Sequence, residues 1–102
     1  MSSFVRITVL KRAFYPELAD KYLSEGRDVG PCPLLMEGHS FIYEGGAEMP
    51  EGFCPWAWID IYSACAVLNA GGFDNQWYAG GNLRVQCCTD GIRPVSFLLE
   101  AI

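Results

Sequence analysis

The sequence predicts an α+β fold, a single two-layer domain with helices on one face of a mostly antiparallel sheet. Three observations carry this. Residues 4–12 alternate apolar and polar side chains, as a half-buried strand does. Residues 55–70 make one long apolar helix, entered through Cys54-Pro55 and stopped by Gly71-Gly72. Residues 83–100 alternate again on both sides of Asp90-Gly91, the pattern of a hairpin. A chain of 102 residues has room for one core, so the domain spans residues 1–102. The element order is β-α-β-α-β-β, of which the ferredoxin-like arrangement is one variant.

In the first strand Val5, Ile7 and Val9 share one face, and Arg6, Thr8 and Arg12 the other. Pro16 opens a short helix in which Glu17 and Lys21 stand at the supportive i, i+4 spacing. Leu18, Tyr22 and Leu23 are expected to supply its buried face, and Gly26 ends it. Asp28-Val29-Gly30-Pro31-Cys32-Pro33 suits neither a helix nor a central strand, leaving a loop with a cysteine between two prolines. Residues 37–43 offer a turn and a second strand, and residues 44–53 a loop rich in Gly and Glu.

The long helix is the element around which the rest is arranged. Pro55 suits its first position, where a missing N–H costs nothing. Cys54 then falls at the N-cap, facing free amides and the positive end of the helix dipole, a place that favours anions. Trp58, Ile61, Cys65 and Leu68 form one stripe, and Ile59, Ala66 and Ala70 lie on another side. Asp60 is its one charged residue, which predicts a largely buried helix. Trp77 and Tyr78 come next in a loop, where they cap the domain's own core, cover a pocket or rest on a partner. In the final hairpin, a three-residue Thr89-Asp90-Gly91 loop with a left-handed Gly91 brings like faces together. Val85 then faces Val95, Leu83 faces Phe97, Cys87 lies opposite Arg93 on the core side, and Cys88 points away.

Composition narrows the function classes. The net charge is −5 and the pI about 4.6, which argues against nucleic acid and anionic membranes as partners. No Lys or Arg occurs between Arg27 and Arg84, while Glu37, Glu44, Glu48, Glu51, Asp60 and Asp74 all lie in that gap. A solvated acidic face is the first reading of this, and a site for a cation the sharper one. Five cysteines, an odd number, and a start unlike a signal peptide point to free thiols in a reducing, cytoplasmic compartment. No apolar run reaches the roughly 20 residues of a membrane span. A small apolar domain whose end strands need cover is expected to be a homo-oligomer.

Several segments together resemble one family: residues 5–12 (Val-Arg-Ile-Thr-Val-Leu-Lys-Arg), Cys32-Pro33 with Glu37-Gly38, Phe53-Cys54 with Trp56-Ala57-Trp58 and Asp60-Ile61, and Cys87-Cys88 with Asp90-Gly91 and Arg93-Pro94-Val95. The family is one of small, single-domain proteins of about 100 residues from anaerobic bacteria and archaea, without an assigned activity. The resemblance covers nearly the whole chain and implies that these residues belong to one constellation. It supplies no reaction.

The residues themselves outline a pocket lined by thiols and carboxylates. Cys54 and Cys87, with Asp60 and Arg93 nearby, are the candidates for chemistry, Arg93 being the natural ion-pair partner of Asp60. Glu37, Trp56 and Trp58 are candidates for holding a ligand. Cys32, Cys54, Cys87 and Cys88 are candidate ligands of a soft transition metal, although their single or adjacent placing lacks the paired spacing of a closed zinc site. For each of these cysteines a buried packing role is equally natural, and Cys65 reads as packing alone. His39, the one histidine, reads as a polar strand-edge residue. Three functions are open: a pocket for a small molecule or soft metal with redox use available to it; a small lyase or isomerase using Cys54 or Cys87; or a structural accessory subunit.

Overall fold

The computed structural model describes residues 4–72 and 77–102; Asp74 of the acidic stretch lies outside them. Strand β1 (Val5–Arg12) leads into helix α1 (Pro16–Tyr22) and a short 3-10 turn (Gly26–Val29). Strand β2 (Ser40–Tyr43), helix α2 (Pro55–Asn69), strand β3 (Leu83–Cys87) and strand β4 (Val95–Ala101) complete the chain. This is the α+β order expected from the sequence. The sheet runs β2-β1-β4-β3, and each neighbouring pair is antiparallel. It lacks the parallel central pair that a split β-α-β unit creates, so the ferredoxin-like variant does not apply. The reason is topological: α2 carries the chain from one edge strand, β2, to the other, β3.

The core lies between one face of the sheet and α2. Val5, Ile7 and Val9 of β1 meet Val95, Phe97 and Leu99 of β4, all essentially without solvent contact. Onto them α2 lays Trp58, Ile61, Cys65 and Leu68, the stripe its sequence spacing selects. Phe41, Tyr43, Phe53, Trp58 and Tyr62 form a run of tilted and edge-on ring contacts along the β2 side. The Tyr43 hydroxyl closes the turn after β2 by donating to the Gly46 carbonyl. Burial in this cluster raises the Tyr43 hydroxyl above the ordinary tyrosine pKa. α2 runs so that its C-terminal end lies beside Gly45, just after β2, while its N-terminal end meets the β3–β4 connection.

Three local expectations are corrected. First, β1 carries an extra residue between Val9 and Lys11, where Val9 pairs with Phe97 but Lys11 pairs with Ser96. One added residue reverses the facing of the strand beyond it, so Arg12 stands opposite buried Val95 rather than beside Arg6 and Thr8.

Second, the hairpin register differs. Val85 pairs with Leu98 and Arg84 with Leu99, while Cys87 pairs with Ser96. The connection occupies residues 88–94 and turns on Asp90, whose Oδ1 accepts the backbone N–H groups of Ile92 and Arg93, each at 2.9 Å. Gly91 has no positive φ, so the left-handed bulge is absent. The longer turn shifts the pairing by three residues relative to the expected one, and an odd shift exchanges the faces. Arg84 is therefore buried at 3% exposure, with Val85 and Cys87 on the open side. The Arg84 guanidinium lies 4.7 Å from the Tyr78 ring and donates to the Leu83 carbonyl.

Third, α1 packs mainly on the 3-10 turn rather than on the sheet. Only Ala19 is buried in it, while Leu18 and Tyr22 stay exposed. The turn is fastened by Asp20, which accepts the backbone N–H and Nε–H of Arg27 at 2.8 Å each.

Candidate functional site

The helix N-terminus, the end of β1, the segment after the 3-10 turn and the β3–β4 connection all meet at one end of the sheet. There Cys32, Leu34, Cys54, Trp56, Cys88, Asp90 and Arg93 line a cleft of about 270 Å³. Three thiols from three separate segments thus share one cavity with one cation and one carboxylate.

Each side chain is placed by an identifiable local cause. Cys54 is the N-cap of α2, extended in backbone and followed by Pro55, as its sequence position requires. Its side chain makes no capping hydrogen bond and is partly exposed. Cys88 is buried just past the end of β3. Its N–H donates to the Val95 carbonyl at 3.1 Å, and its sulfur accepts the Val95 N–H at 3.3 Å. Cys32 is buried between its two prolines, and its carbonyl accepts Nη1–H of Arg12 at 2.8 Å. The bulge in β1 is what turns Arg12 toward Cys32. Arg12 Nε is buried without a hydrogen-bond partner of its own.

Arg93 and Asp90 form a partly exposed pair, with Nε to Oδ2 at 3.5 Å. Burial pushes the Asp90 carboxyl up, but the N–H groups of Arg93 and Ile92 and the Arg93 charge outweigh it and hold the group below the ordinary aspartate range. A depressed folded-state pKa contributes stability that is fully present above the unfolded value of about 3.9 and lost as pH falls through the lower folded value. The β3–β4 connection is therefore expected to hold from neutral pH down to about pH 4 and to loosen only in stronger acid. Urea midpoints of the protein and of Asp90→Asn, followed through that range, check this: the two should converge only at the acid end.

The expected pairing of Asp60 with Arg93 is replaced by another contact. Asp60 Oδ2 accepts the Thr89 N–H at 2.8 Å and the Thr89 hydroxyl at 3.1 Å. The Thr89 oxygen in turn accepts the indole N–H of Trp56 at 3.1 Å. Asp60 thus ties the first turns of α2 to the β3–β4 connection and lies behind the cleft rather than in its lining. Arg93 keeps to Asp90 because both belong to the same turn.

The remaining sequence candidates separate cleanly. Cys87 is exposed on the open face of the sheet and does not line the cleft, so Cys54 and Cys87 do not share it; Cys88 takes that place. Glu37 accepts the backbone N–H of Arg12 at 3.0 Å, continuing the pairing of β1 past its bulge. Trp58 belongs to the core, whereas Trp56 reaches the cleft. Cys65 is buried in α2, where burial pushes its thiol up to about 12. Among the described residues, no group of three or more His, Cys, Asp or Glu side chains is placed to hold a metal ion. The four-cysteine set is broken by the facing of Cys87, which leaves Cys32, Cys54 and Cys88 in the cleft. Asp90 and Arg12 enter the sequence reading of this site only through the family motifs, not as site candidates in their own right. Cys88-x-Asp90-x-x-Arg93 was the available signal for the first. The second depended on a bulge with no local marker in the sequence.

Of the acidic stretch, Glu37, Glu44, Glu48 and Glu51 are exposed. Glu44, Glu48 and Glu51 border two open depressions beside β2 with Ile42 and Pro50. No helix among the described residues is long and apolar enough to cross a membrane. Compared with protein-family models, curated proteins and solved structures, the chain matches none.

Proposed function

We propose that the protein binds a small organic molecule in the cleft between the α2 N-terminus and the β3–β4 connection, with Cys54 as the thiol that meets it. One observation carries this reading: Cys32, Cys54 and Cys88, far apart in sequence, line one cavity beside Arg93. The lining is apolar for the most part, with a few polar groups at one end, which is the usual make-up of a small-ligand site. Within it the thiols differ in access. Cys88 and Cys32 are buried, and the Cys88 sulfur is engaged by Val95. Cys54 is partly exposed and has no side-chain cap bond, which leaves its sulfur open to a ligand. The motifs of the family this chain resembles supply Cys32, Cys54, Trp56, Cys88, Asp90 and Arg93 to the same cleft, which supports treating them as one constellation. An organic ligand is favoured over a soft metal because, among the described residues, no three His, Cys, Asp or Glu side chains are placed to hold a metal ion.

The reading is tested by alkylation with iodoacetamide in a Cys87→Ser background, since exposed Cys87 would otherwise dominate the signal. Mass spectrometry should find Cys54 modified first, Cys32 and Cys88 later, and Cys65 only on unfolding. Modification of Cys54 no faster than that of Cys65 would leave the cleft as packing.

A further inference from the structure

A second cavity lies next to the cleft. Leu23, Val29, Asp90, Ile92 and Arg93 line about 150 Å³ between the 3-10 turn and the β3–β4 connection. Asp90 and Arg93 also line the cleft, so the two cavities adjoin at this ion pair. The connection is held in place by the segment before α1, where the Ala13 and Tyr15 N–H groups donate to the Pro94 and Ile92 carbonyls, each at 2.9 Å. The 3-10 turn, fastened by Asp20 and Arg27, brings Val29 to the same place. Leu23, Val29 and Ile92 are half-buried and make the second cavity aliphatic apart from the ion pair.

The two members of that pair are not equally committed. Asp90 Oδ1 accepts two backbone N–H groups, and Oδ2 faces Arg93 Nε at 3.5 Å. Arg93 gives only Nε to this contact. Its two terminal amino groups, with four of its five N–H donors, hold no hydrogen bond among the described residues, and its side chain is 35% exposed. A guanidinium with its fork of donors open, set between two largely apolar cavities, matches a planar carboxylate carried on a hydrocarbon body. A phosphate suits it less, because one cation with a carboxylate beside it, on a chain of net charge −5, does not balance a dianion.

We propose that the molecule taken up here is a small organic carboxylate. Its anionic group sits on Arg93, a branched or cyclic hydrocarbon arm fills the cavity of Leu23, Val29 and Ile92, and its other end extends toward Cys54. This rests on the reading of the cleft as a small-molecule site and names the ligand class. An apolar cavity of about 150 Å³ is large enough for a benzene ring, so the arm has the size of an isobutyl or phenyl group. Asp90 is then a positioning residue: it holds the Arg93 side chain through Nε and leaves the terminal amino groups to the ligand.

Amide ¹H–¹⁵N spectra of the full chain, titrated under reducing conditions at neutral pH, test the proposal. The probe is 4-methylpentanoate, which carries the acid and the arm alone. It should shift the Leu23, Val29, Ile92 and Arg93 amides saturably in the millimolar range. The neutral 4-methylpentanamide, which loses the charge-assisted bonds, should bind about tenfold more weakly. Acetate, which loses the arm, should also bind about tenfold more weakly. Arg93→Gln should abolish the difference between acid and amide, and Val29→Phe, which fills the second cavity, the advantage over acetate. Equal binding of acid and amide overturns the proposal, as does an acid preference that survives Arg93→Gln or inorganic phosphate binding as tightly as the probe. Any of these, with Cys54 still the first thiol alkylated, removes the ligand class and leaves the cleft reading standing. Alkylation of Cys54 no faster than that of Cys65 removes the cleft reading itself.

Discussion

Phe97→Ala is expected to destabilise the fold by about 3–5 kcal/mol, the range for removing a fully buried aromatic ring. Phe97 stands on β4, one of the two central strands, with no solvent exposure. Its ring centroid lies 5.3 Å from that of Phe53, which in turn contacts Phe41 at 5.0 Å and Trp58 at 6.2 Å. The alanine leaves a cavity under the start of α2 that these rigid rings are poorly shaped to fill. Against a total stability of about 5–15 kcal/mol for a domain of this size, that is a large fraction. Urea denaturation measures it as a fall in midpoint at an unchanged slope. Phe53 immediately precedes Cys54, so the same substitution should reduce the preference of alkylation for Cys54 over the buried thiols. A loss below about 1 kcal/mol would place Phe97 outside the tightly packed core.

Whether a feature can be read from the sequence depends on how local its determinant is. The β1 facing of Val5, Ile7 and Val9 is written in alternation and is realised. The start of α2 is written in Cys54-Pro55, and its buried stripe in the spacing of Trp58, Ile61, Cys65 and Leu68. These depend on backbone period and capping alone. The facing of β3 does not. Leu83, Val85 and Cys87 look like its core side, yet Arg84 is the buried residue, covered by Tyr78 from the segment after α2. No local pattern announces that a charged side chain will be shielded by a ring several residues earlier. The register also depended on the β3–β4 connection, where Asp90-Gly91 suggests a tight turn but the Asp90 carboxylate organises a wider one.

The cleft was legible in part for the same reason. Cys54 is found where its local structure puts it, as the N-cap of α2, whereas Arg93 lines the cleft from the turn with Asp90 and not from across Cys87. The exchange of Cys87 for Cys88 is the functional consequence of the reversed strand face: adjacent residues on a strand point to opposite sides, so an error in facing selects the wrong member of the pair. The helix showed a related ambiguity. With Asp60 as its one charge, α2 reads as largely buried, but the sheet covers one side only, and Ile59 is left exposed on the other.

Asp60→Ala is the other substitution expected to have a large effect, and it acts on stability and on the cleft together. Its carboxylate holds two hydrogen bonds from Thr89, and bonds to a charged group contribute about 1.5–3 kcal/mol each when shielded. Because this group is partly open to solvent, a combined loss of about 2 kcal/mol is expected. The substitution also frees the Thr89 hydroxyl, whose oxygen holds the Trp56 indole. Thr89 comes directly after Cys88, and Trp56 and Cys88 both line the cleft. Detaching the two should let Cys88 exchange its shielded position for one open to solvent. Alkylation in the Cys87→Ser background should then show Cys88 gaining on Cys54 under conditions where circular dichroism reports an intact fold. Asp60→Asn, which keeps a neutral acceptor at the same place, should show a smaller change in the same direction. If Asp60→Ala lowers the urea midpoint but leaves the order of thiol modification as it was, the Asp60–Thr89 contact supports the fold without shaping the cleft.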